Sequence, residues 1–242
     1  MEKINIIGIE DVKAKVLSDL SEFPKELLVH NINHSLDVAE TAIVIGREAN
    51  LSIIHQKELY FSGLMHDIGL LNAVKEKTYS GHELAGVGYV VDTLPNFGYE
   101  SLISLISKNI LATRMPQSPN SFLEEIICDS DLANFGRDDF FSTCANLRIE
   151  IENVTNNKIK IKDWLEKTYN LLISHSYHTD IAKNYFDKKK QENLFKLEIF
   201  LDFLNQAENE SLLEKALSEK QGITLGVPIV DSYFALFYDF SY

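Results

Sequence analysis

Apolar residues recur at intervals of three and four positions through most of residues 1–208, and this spacing is typical of amphipathic α-helices. Proline, glycine and asparagine mark the breaks between the periodic segments and predict loops over 72–81 and 114–120. The predicted helices span residues 12–23, 27–49, 52–65, 82–94, 99–113, 122–135, 138–153, 162–175 and 179–206. Because strand-like alternation is missing from this part of the chain, the pattern predicts an all-α helical bundle and argues against a parallel sheet.

The last residues of the chain follow a different pattern. Residues 222–230 (GITLGVPIV) are β-prone and interrupted by glycine and proline, and residues 231–242 are rich in tyrosine and phenylalanine. We therefore predict one helical domain over residues 1–208 and a C-terminal appendage over 209–242 with strand or irregular structure. The appendage is expected to pack on the helical body or on a partner chain, and its aromatic side chains suggest a homodimer contact.

Charge and composition limit the partners. The 242 residues carry a formal net charge of −13, which argues against duplex nucleic acid and an anionic membrane surface, because binding to either needs clustered Lys and Arg. The sequence shows no run of about 18 apolar residues and no signal-peptide pattern. Its two cysteines, Cys128 and Cys144, suit free thiols in a reducing compartment, so we expect a cytoplasmic protein without a membrane span.

One adjacent pair, His66 and Asp67, stands inside an apolar run that extends from Leu59 to Leu71. A histidine beside an aspartate is unfavourable in apolar surroundings unless each side chain has a partner, and a divalent metal ion is a partner for both. In the alternative interpretation His66 forms a local hydrogen bond at a helix end, Asp67 faces solvent and Gly69 is the helix cap.

Further metal-competent groups stand in apolar settings on the other predicted helices. They are His34, His82, and either Asp129 or Asp131. Imidazole and carboxylate ligands together suit Mn²⁺, Fe, Co²⁺, Ni²⁺ or Zn²⁺ better than Ca²⁺. An ion of this kind lowers the pKa of a bound water and takes up negative charge from a phosphate, so an acidic protein can still bind an anionic substrate.

The ordered set of His34, His66 with Asp67, and Asp131 resembles the HD-domain superfamily of metal-dependent phosphohydrolases. The surrounding sequences HNINH, HDIG, SGHE and DLANFG agree with small, stand-alone members, and the resemblance covers roughly residues 25–205. It implies an HD-type helical bundle in which these four residues are the primary metal ligands. The Asp-Leu-Ala context favours Asp131 over Asp129 as the last ligand.

The resemblance also implies roles for residues around the metal. His82 matches a position where two-metal members place a further histidine, but residues 108–115 contain no histidine to complete a second site. We therefore expect one ion rather than two, with a second held at most loosely through Asp67 and His82.

Catalytic roles follow from the same resemblance. His30 resembles a general acid that protonates the leaving oxygen, and the predicted helix places it one turn from His34. The alternative is a helix-start residue bonded to solvent or backbone. Arg114 is expected either as an anion clamp or as a surface arginine. With Asp67, these two residues make up the predicted catalytic set.

The function implied is hydrolysis of a small phosphate ester, a nucleotide or related metabolite, by metal-activated water. Phosphomonoester and phosphodiester substrates both remain open. The alternatives are a di-iron oxygenase, which needs a full dinuclear ligand set, and a non-catalytic module that binds a nucleotide or a partner.

Overall fold

The computed structural model describes residues 9–205, and within that range it contains α-helices, short 3₁₀ turns and no strand. The α-helices are α1 Glu10–Leu20, α2 Ile32–Glu48, α3 Ile53–Met65, α4 Ala73–Glu76, α5 His82–Thr93, α6 Ile103–Ala112, α7 Phe122–Asp131, α8 Phe140–Thr155, α9 Ile161–Ser174 and α10 Asp180–Leu204. The prediction of an all-α fold is therefore confirmed. The predicted appendage over 209–242 lies outside the described residues. No helix within 9–205 combines the length and the apolar character that crossing a membrane requires.

Helix α3 lies at the centre of the core. Its side chains Leu59, Phe61 and Leu64 are completely buried, and the helix packs against α2, α6 and α7. A small residue sets the closest approach, because a Cβ on Gly63 would lie 2.6 Å from the Cα atom of Ala39 in α2. The two helices that carry His34 and His66 are therefore held almost backbone to backbone.

Several helix starts agree with the sequence prediction because a local side chain caps each of them. Ser52, Ser121 and Thr179 each accept a hydrogen bond from a backbone N–H in the first turn of the helix that follows. Glu124 also turns back and accepts a hydrogen bond from the backbone N–H of Asn120 at 2.7 Å. These polar caps satisfy N–H groups that have no partner inside the helix.

The helix predicted over 27–49 is wrong at its start. Helix α2 begins at Ile32, and Asn31 is its cap. His30 therefore precedes the helix and does not lie one helical turn before His34, as the sequence suggested. The reason is a distant carboxylate: Glu150 of α8 accepts hydrogen bonds from the backbone N–H groups of the two residues before Asn31, which keeps them out of the helix.

Three other segments differ in detail from their predictions. The helix predicted over 122–135 stops at Asp131, and a separate 3₁₀ turn, Ala133–Gly136, follows it. This turn packs closely on α10, since a Cβ on Gly136 would lie 2.3 Å from the carbonyl oxygen of Phe186. The loop predicted over 72–81 contains the short helix α4, and the helix predicted over 99–113 starts with a 3₁₀ turn.

Candidate metal centre

The ends of four helices bring the predicted metal ligands together. His34 lies in the first turn of α2, and His66 and Asp67 follow the last residue of α3. His82 is the first residue of α5, and Asp131 is the last residue of α7. The residues come from positions almost a hundred apart in the chain, so only the tertiary fold assembles them.

Four ligand atoms surround one small space. His66 Nε2 lies 3.0 Å from Asp67 Oδ2, 3.2 Å from His34 Nε2 and 3.4 Å from Asp131 Oδ1. His34 Nε2 completes the set, at 3.5 Å from Asp67 Oδ2 and 3.3 Å from Asp131 Oδ1. Two ligand atoms each about 2.1 Å from a common ion are about 3.0 Å apart at a right angle and about 3.4 Å apart at the tetrahedral angle. The spacing of His34, His66 and Asp67 therefore fits a single transition-metal ion, and Asp131 lies against both histidines of that group.

The hydrogen-bond pattern of the cluster also fits a cation. His66 Nδ1 donates to the carbonyl oxygen of Gly63 at 2.8 Å, which leaves Nε2 as the nitrogen with a free lone pair in the neutral ring. That lone pair points at the same space as His34 Nε2. Asp67 Oδ2 is buried and makes no hydrogen bond of acceptable geometry. A buried carboxylate oxygen between two imidazoles is an acceptor and metal ligand that lacks a positive partner.

The electrostatics of the cluster favour positive charge. Burial opposes the charged form of His66, but the carboxylates of Asp67 and Asp131 outweigh it and raise the pKa of His66 well above its ordinary value. Burial likewise opposes ionisation of both carboxyl groups, yet the neighbouring histidines lower the pKa of Asp67 and of Asp131. Both carboxylates are therefore ionised at neutral pH, as ligands of a divalent ion must be.

The structure separates the two candidates for the last ligand. Asp129 is completely buried and points away from the histidines, where its carboxylate accepts hydrogen bonds from the backbone N–H groups of His178 and Thr179 at 2.7 and 2.8 Å. The hydroxyl of Thr179 donates a third bond at 2.7 Å. Asp129 thus fixes the start of α10, and Asp131 is the aspartate of α7 that lies beside His34 and His66.

His82 faces the other oxygen of Asp67. Its Nε2 lies 3.4 Å from Asp67 Oδ1, and its Nδ1 donates to the carbonyl oxygen of Tyr79 at 2.7 Å. The backbone of His82 approaches Gly69 closely, and a larger residue would not fit there, because a Cβ on Gly69 would lie 2.0 Å from the carbonyl oxygen of His82. His82 is therefore placed beside the four-atom cluster rather than within it.

A buried glutamate that the sequence analysis missed holds His30 in place. Glu150 of α8 accepts a hydrogen bond from Nδ1 of the His30 ring, and it also accepts bonds from the backbone N–H groups of Val29 at 2.6 Å and His30 at 3.1 Å. The hydroxyl of Tyr79 donates to the same carboxylate at 2.9 Å. Because Nδ1 is engaged, Nε2 is the nitrogen that His30 can offer to the cavity it lines.

This pairing sets the charge of His30. Burial alone would lower its pKa, but the hydrogen bond to Glu150 and the charges of Asp67, Glu150 and Asp131 raise the pKa of His30 to about 9. The hydrogen bonds from His30 in turn outweigh burial and lower the pKa of Glu150. His30 is therefore protonated at neutral pH, which is the state a proton donor needs.

A sequence signal for Glu150 existed. It lies three residues after Leu147 and four before Val154, so it occupies the inward face of α8 together with these apolar residues. A carboxylate on an apolar helix stripe indicates a buried partner. Here the partner is His30, which lies 120 residues earlier in the chain.

The cluster opens into a cavity of about 760 Å³. His30, His34 and Asp67 line it on one side, and Arg114, exposed at the end of α6, lies on its wall. Every residue predicted for the site therefore lines this cavity except His66, which is buried directly behind it. The cavity is large enough for a small metabolite.

Comparison with known proteins identifies a relative of this chain. No protein-family model matches the chain, and no solved structure matches it. A protein of Clostridium beijerinckii, described as an uncharacterized protein, is 30% identical over 123 residues, which is 50% of this chain and 76% of that protein. With this identity over most of the relative's length, the chain belongs to the same protein family as the clostridial protein.

Proposed function

We propose that this chain is a metal-dependent phosphohydrolase of the HD-domain type that acts on a small phosphate ester, such as a nucleotide or related metabolite. The proposal is supported above all by one arrangement. His34, His66 and Asp67 lie 3.0–3.5 Å from one another, Asp131 lies 3.3–3.4 Å from both histidines, and the group adjoins a protonated histidine that a buried glutamate holds, all at one cavity.

His34, His66, Asp67 and Asp131 would hold a single divalent ion, with His82 beside it. Their mixture of imidazole nitrogen and carboxylate oxygen suits Mn, Fe, Co, Ni or Zn. When bound, such an ion activates water as a nucleophile and offsets the negative charge of a phosphate.

The remaining residues of the site have roles that follow from their positions. His30 donates a proton from Nε2 to the oxygen of the leaving alcohol, and Glu150 keeps the ring in the orientation and protonation state that this requires. Arg114 binds a phosphoryl oxygen from the wall of the cavity.

The reaction balances without a further reactant. The oxygen of water forms a bond to phosphorus while the ester P–O bond breaks, and the proton of His30 moves to the departing alcohol. The attacking water loses one proton, and this proton restores the charged state of His30 for the next cycle. The products are an alcohol and phosphate from a monoester, or an alcohol and a monoester from a diester.

Metal content and phosphate release test the proposal together. Elemental mass spectrometry of the purified protein is expected to find about one equivalent of a transition metal, and Asp131→Ala is expected to lose it. The parent should release phosphate from a panel of nucleotides and sugar phosphates with Mn²⁺, Co²⁺ or Ni²⁺. His30→Asn should keep its metal and lose about 10²-fold or more in kcat. His55→Asn, a control outside the cavity, should keep both the metal content and the kcat of the parent.

Other outcomes would redirect the proposal. Two equivalents of iron would favour the di-iron oxygenase. A metal-free parent that stays inactive after incubation with excess Mn²⁺ would favour the non-catalytic binding module.

The cytoplasmic location and the homodimer belong to the same proposal. Light scattering on the full chain and on a chain that ends at residue 208 would show whether the appendage mediates a dimer. A dimer that persists in the shorter chain would contradict the role assigned to the appendage.

A further inference from the structure

One wall of the cavity is built by a single stripe of α8. Thr143, Asn146 and Leu147 line the cavity, and Glu150 lies on the same helix face one turn after Asn146. All three lining residues are half-buried, so each presents part of its side chain to the cavity. None of the three carries a charge.

His30 adjoins both this wall's helix and the metal centre. The ring of His30 is 5.7 Å from the ring of His34, centroid to centroid, and its Nδ1 is bonded to Glu150 of α8. A phosphate beside the four ligand atoms would therefore have its leaving oxygen near His30. The group attached to that oxygen can then extend along the cavity to the residues of α8 that line it.

The chemistry of the wall limits what that group can be. Asn146 and Thr143 offer neutral hydrogen-bond donors and acceptors, and Leu147 with Leu171 of α9 offers apolar surface. Among the described residues that line the cavity there is no lysine, and Arg137 is already bound to Asp37 and to the hydroxyl of Thr41. A chain of phosphates would find little positive charge on this side of the cavity.

We infer that Thr143, Asn146 and Leu147 form a binding subsite for the leaving group, and that the leaving group is an uncharged, ring-bearing alcohol. This inference rests on the proposed phosphohydrolase function. The substrate class is then a phosphate ester of a neutral alcohol, such as a nucleoside monophosphate or a hexose phosphate, and not a nucleoside triphosphate cleaved at a phosphoanhydride bond, because its leaving group would carry charged phosphates.

The test compares substrates and matched variants of the full-length, Mn²⁺-loaded protein. Substrates are the four ribonucleoside 5′-monophosphates, their triphosphates, hexose phosphates and phenyl phosphate. For the best monophosphate ester, kcat/KM is expected to exceed that of any triphosphate at least about tenfold. Asn146→Leu should lower this kcat/KM about tenfold, mainly through KM, as expected for the loss of one hydrogen bond.

Two further variants make the assignment specific. Asn153→Leu places the same substitution on the exposed side of α8, and it should leave every rate unchanged. Leu147→Lys adds a positive charge to the subsite. It should lower the ratio of kcat/KM for monophosphates to kcat/KM for triphosphates. Phenyl phosphate has no hydrogen-bonding group for Asn146 on its ring, so Asn146→Leu should change its hydrolysis less than about twofold.

The outcomes separate this inference from the function on which it rests. Phosphate release from phenyl phosphate, with Asn146→Leu no different from Asn153→Leu on all substrates, would overturn the subsite and leave the phosphohydrolase intact. Triphosphates cleaved as well as monophosphates would also overturn it. If no substrate releases phosphate, the proposed function fails, and calorimetric binding decides the subsite: monophosphates should still bind more tightly than triphosphates, and equal or absent binding would overturn it.

Discussion

Asp129 and Asp131 stand two positions apart on α7, and the structure gives them separate tasks. Asp129 accepts three hydrogen bonds at the start of α10, whereas Asp131 lies beside the two histidines of the metal centre. Changing each to alanine should therefore damage two different properties. Asp129→Ala should lower stability with the metal site retained, and Asp131→Ala should abolish metal binding with the fold retained.

The magnitude for Asp129→Ala follows from the groups it leaves without a partner. The backbone N–H groups of His178 and Thr179 and the hydroxyl of Thr179 lose their acceptor, and each unsatisfied buried donor costs about 1–3 kcal/mol. Burial raises the pKa of Asp129. In the parent, the cost of desolvating this carboxylate therefore offsets part of the stability that its three hydrogen bonds contribute. We expect a net loss of about 3 kcal/mol, which lowers Tm by about 6–12 °C for a domain of this size.

For Asp131→Ala the expected pattern is the reverse. Removing one of four ligands should weaken metal affinity by about 100-fold or more, because second-layer partners alone contribute about 10–100-fold. The side chain of Asp131 is only 17% exposed, but it anchors no backbone group, so the metal-free variant should stay within about 1 kcal/mol of the metal-free parent.

Two assays read these properties independently. Thermal unfolding followed by circular dichroism, in excess chelator, compares the folds without a contribution from bound metal. Elemental mass spectrometry after Mn²⁺ loading and desalting, normalised to folded protein, compares the sites. The reasoning would be refuted if Asp129→Ala unfolds like the parent and loses its metal, or if Asp131→Ala retains a full equivalent.

Three further predictions concern the surroundings of the site. Glu150→Gln should keep its metal but lower kcat about 10²-fold, measured on the best substrate, because the proton donor loses its charged partner. Gly69→Ala should destabilise the fold by about 1–3 kcal/mol in urea unfolding, since the new Cβ would lie 2.0 Å from the His82 carbonyl oxygen, whereas Gly88→Ala, with open space around it, should not. Burial, together with the neighbouring Lys190 and His178, lowers the pKa of His175 to about 4, so the stability that its neutral ring contributes is present above pH about 6.5 and is lost as the pH falls toward 4. His175→Phe should therefore reduce the drop in unfolding free energy between pH 7.5 and 5 by about 1–2 kcal/mol.

The helix order could be read from the sequence because its signals are local. Ser52, Ser121 and Thr179 each cap the helix that follows, and the apolar period continues until proline or glycine interrupts it. The first residue of α5, His82, was predicted correctly for the same reason, since Gly81 before it has a left-handed backbone that ends the preceding segment.

The position of His30 could not be read in this way. Its local sequence is compatible with a longer α2. The backbone N–H of His30 instead donates a hydrogen bond to the carboxylate of Glu150, 120 residues later, and this bond holds His30 outside the helix. Local propensity carries no information about a partner at that distance. The structure moves His30 off the predicted helix but not out of the cavity, because the same carboxylate also holds its ring.

The choice between Asp129 and Asp131 shows a second limit of periodicity. Two helical residues two positions apart point about 200° from each other, so one can face the histidines only if the other faces elsewhere. The pattern of α7 alone does not say which side faces the histidines. The start of α10 answers the question, because Thr179 and its neighbour need the acceptor that Asp129 provides.

The acidity of the whole protein and the anionic substrate proposed for it are compatible because charge acts over different distances. At physiological ionic strength the screening length is about 8 Å, so surface carboxylates farther away than this contribute little at the site. Within that distance, Asp67 and Asp131 face His34 and His66. Glu150 raises the pKa of His30, which is therefore positively charged at neutral pH. One phosphate would therefore meet the protonated His30 beside the metal ligands, while a longer polyanion would extend toward the neutral wall of α8 in a protein whose formal net charge is −13.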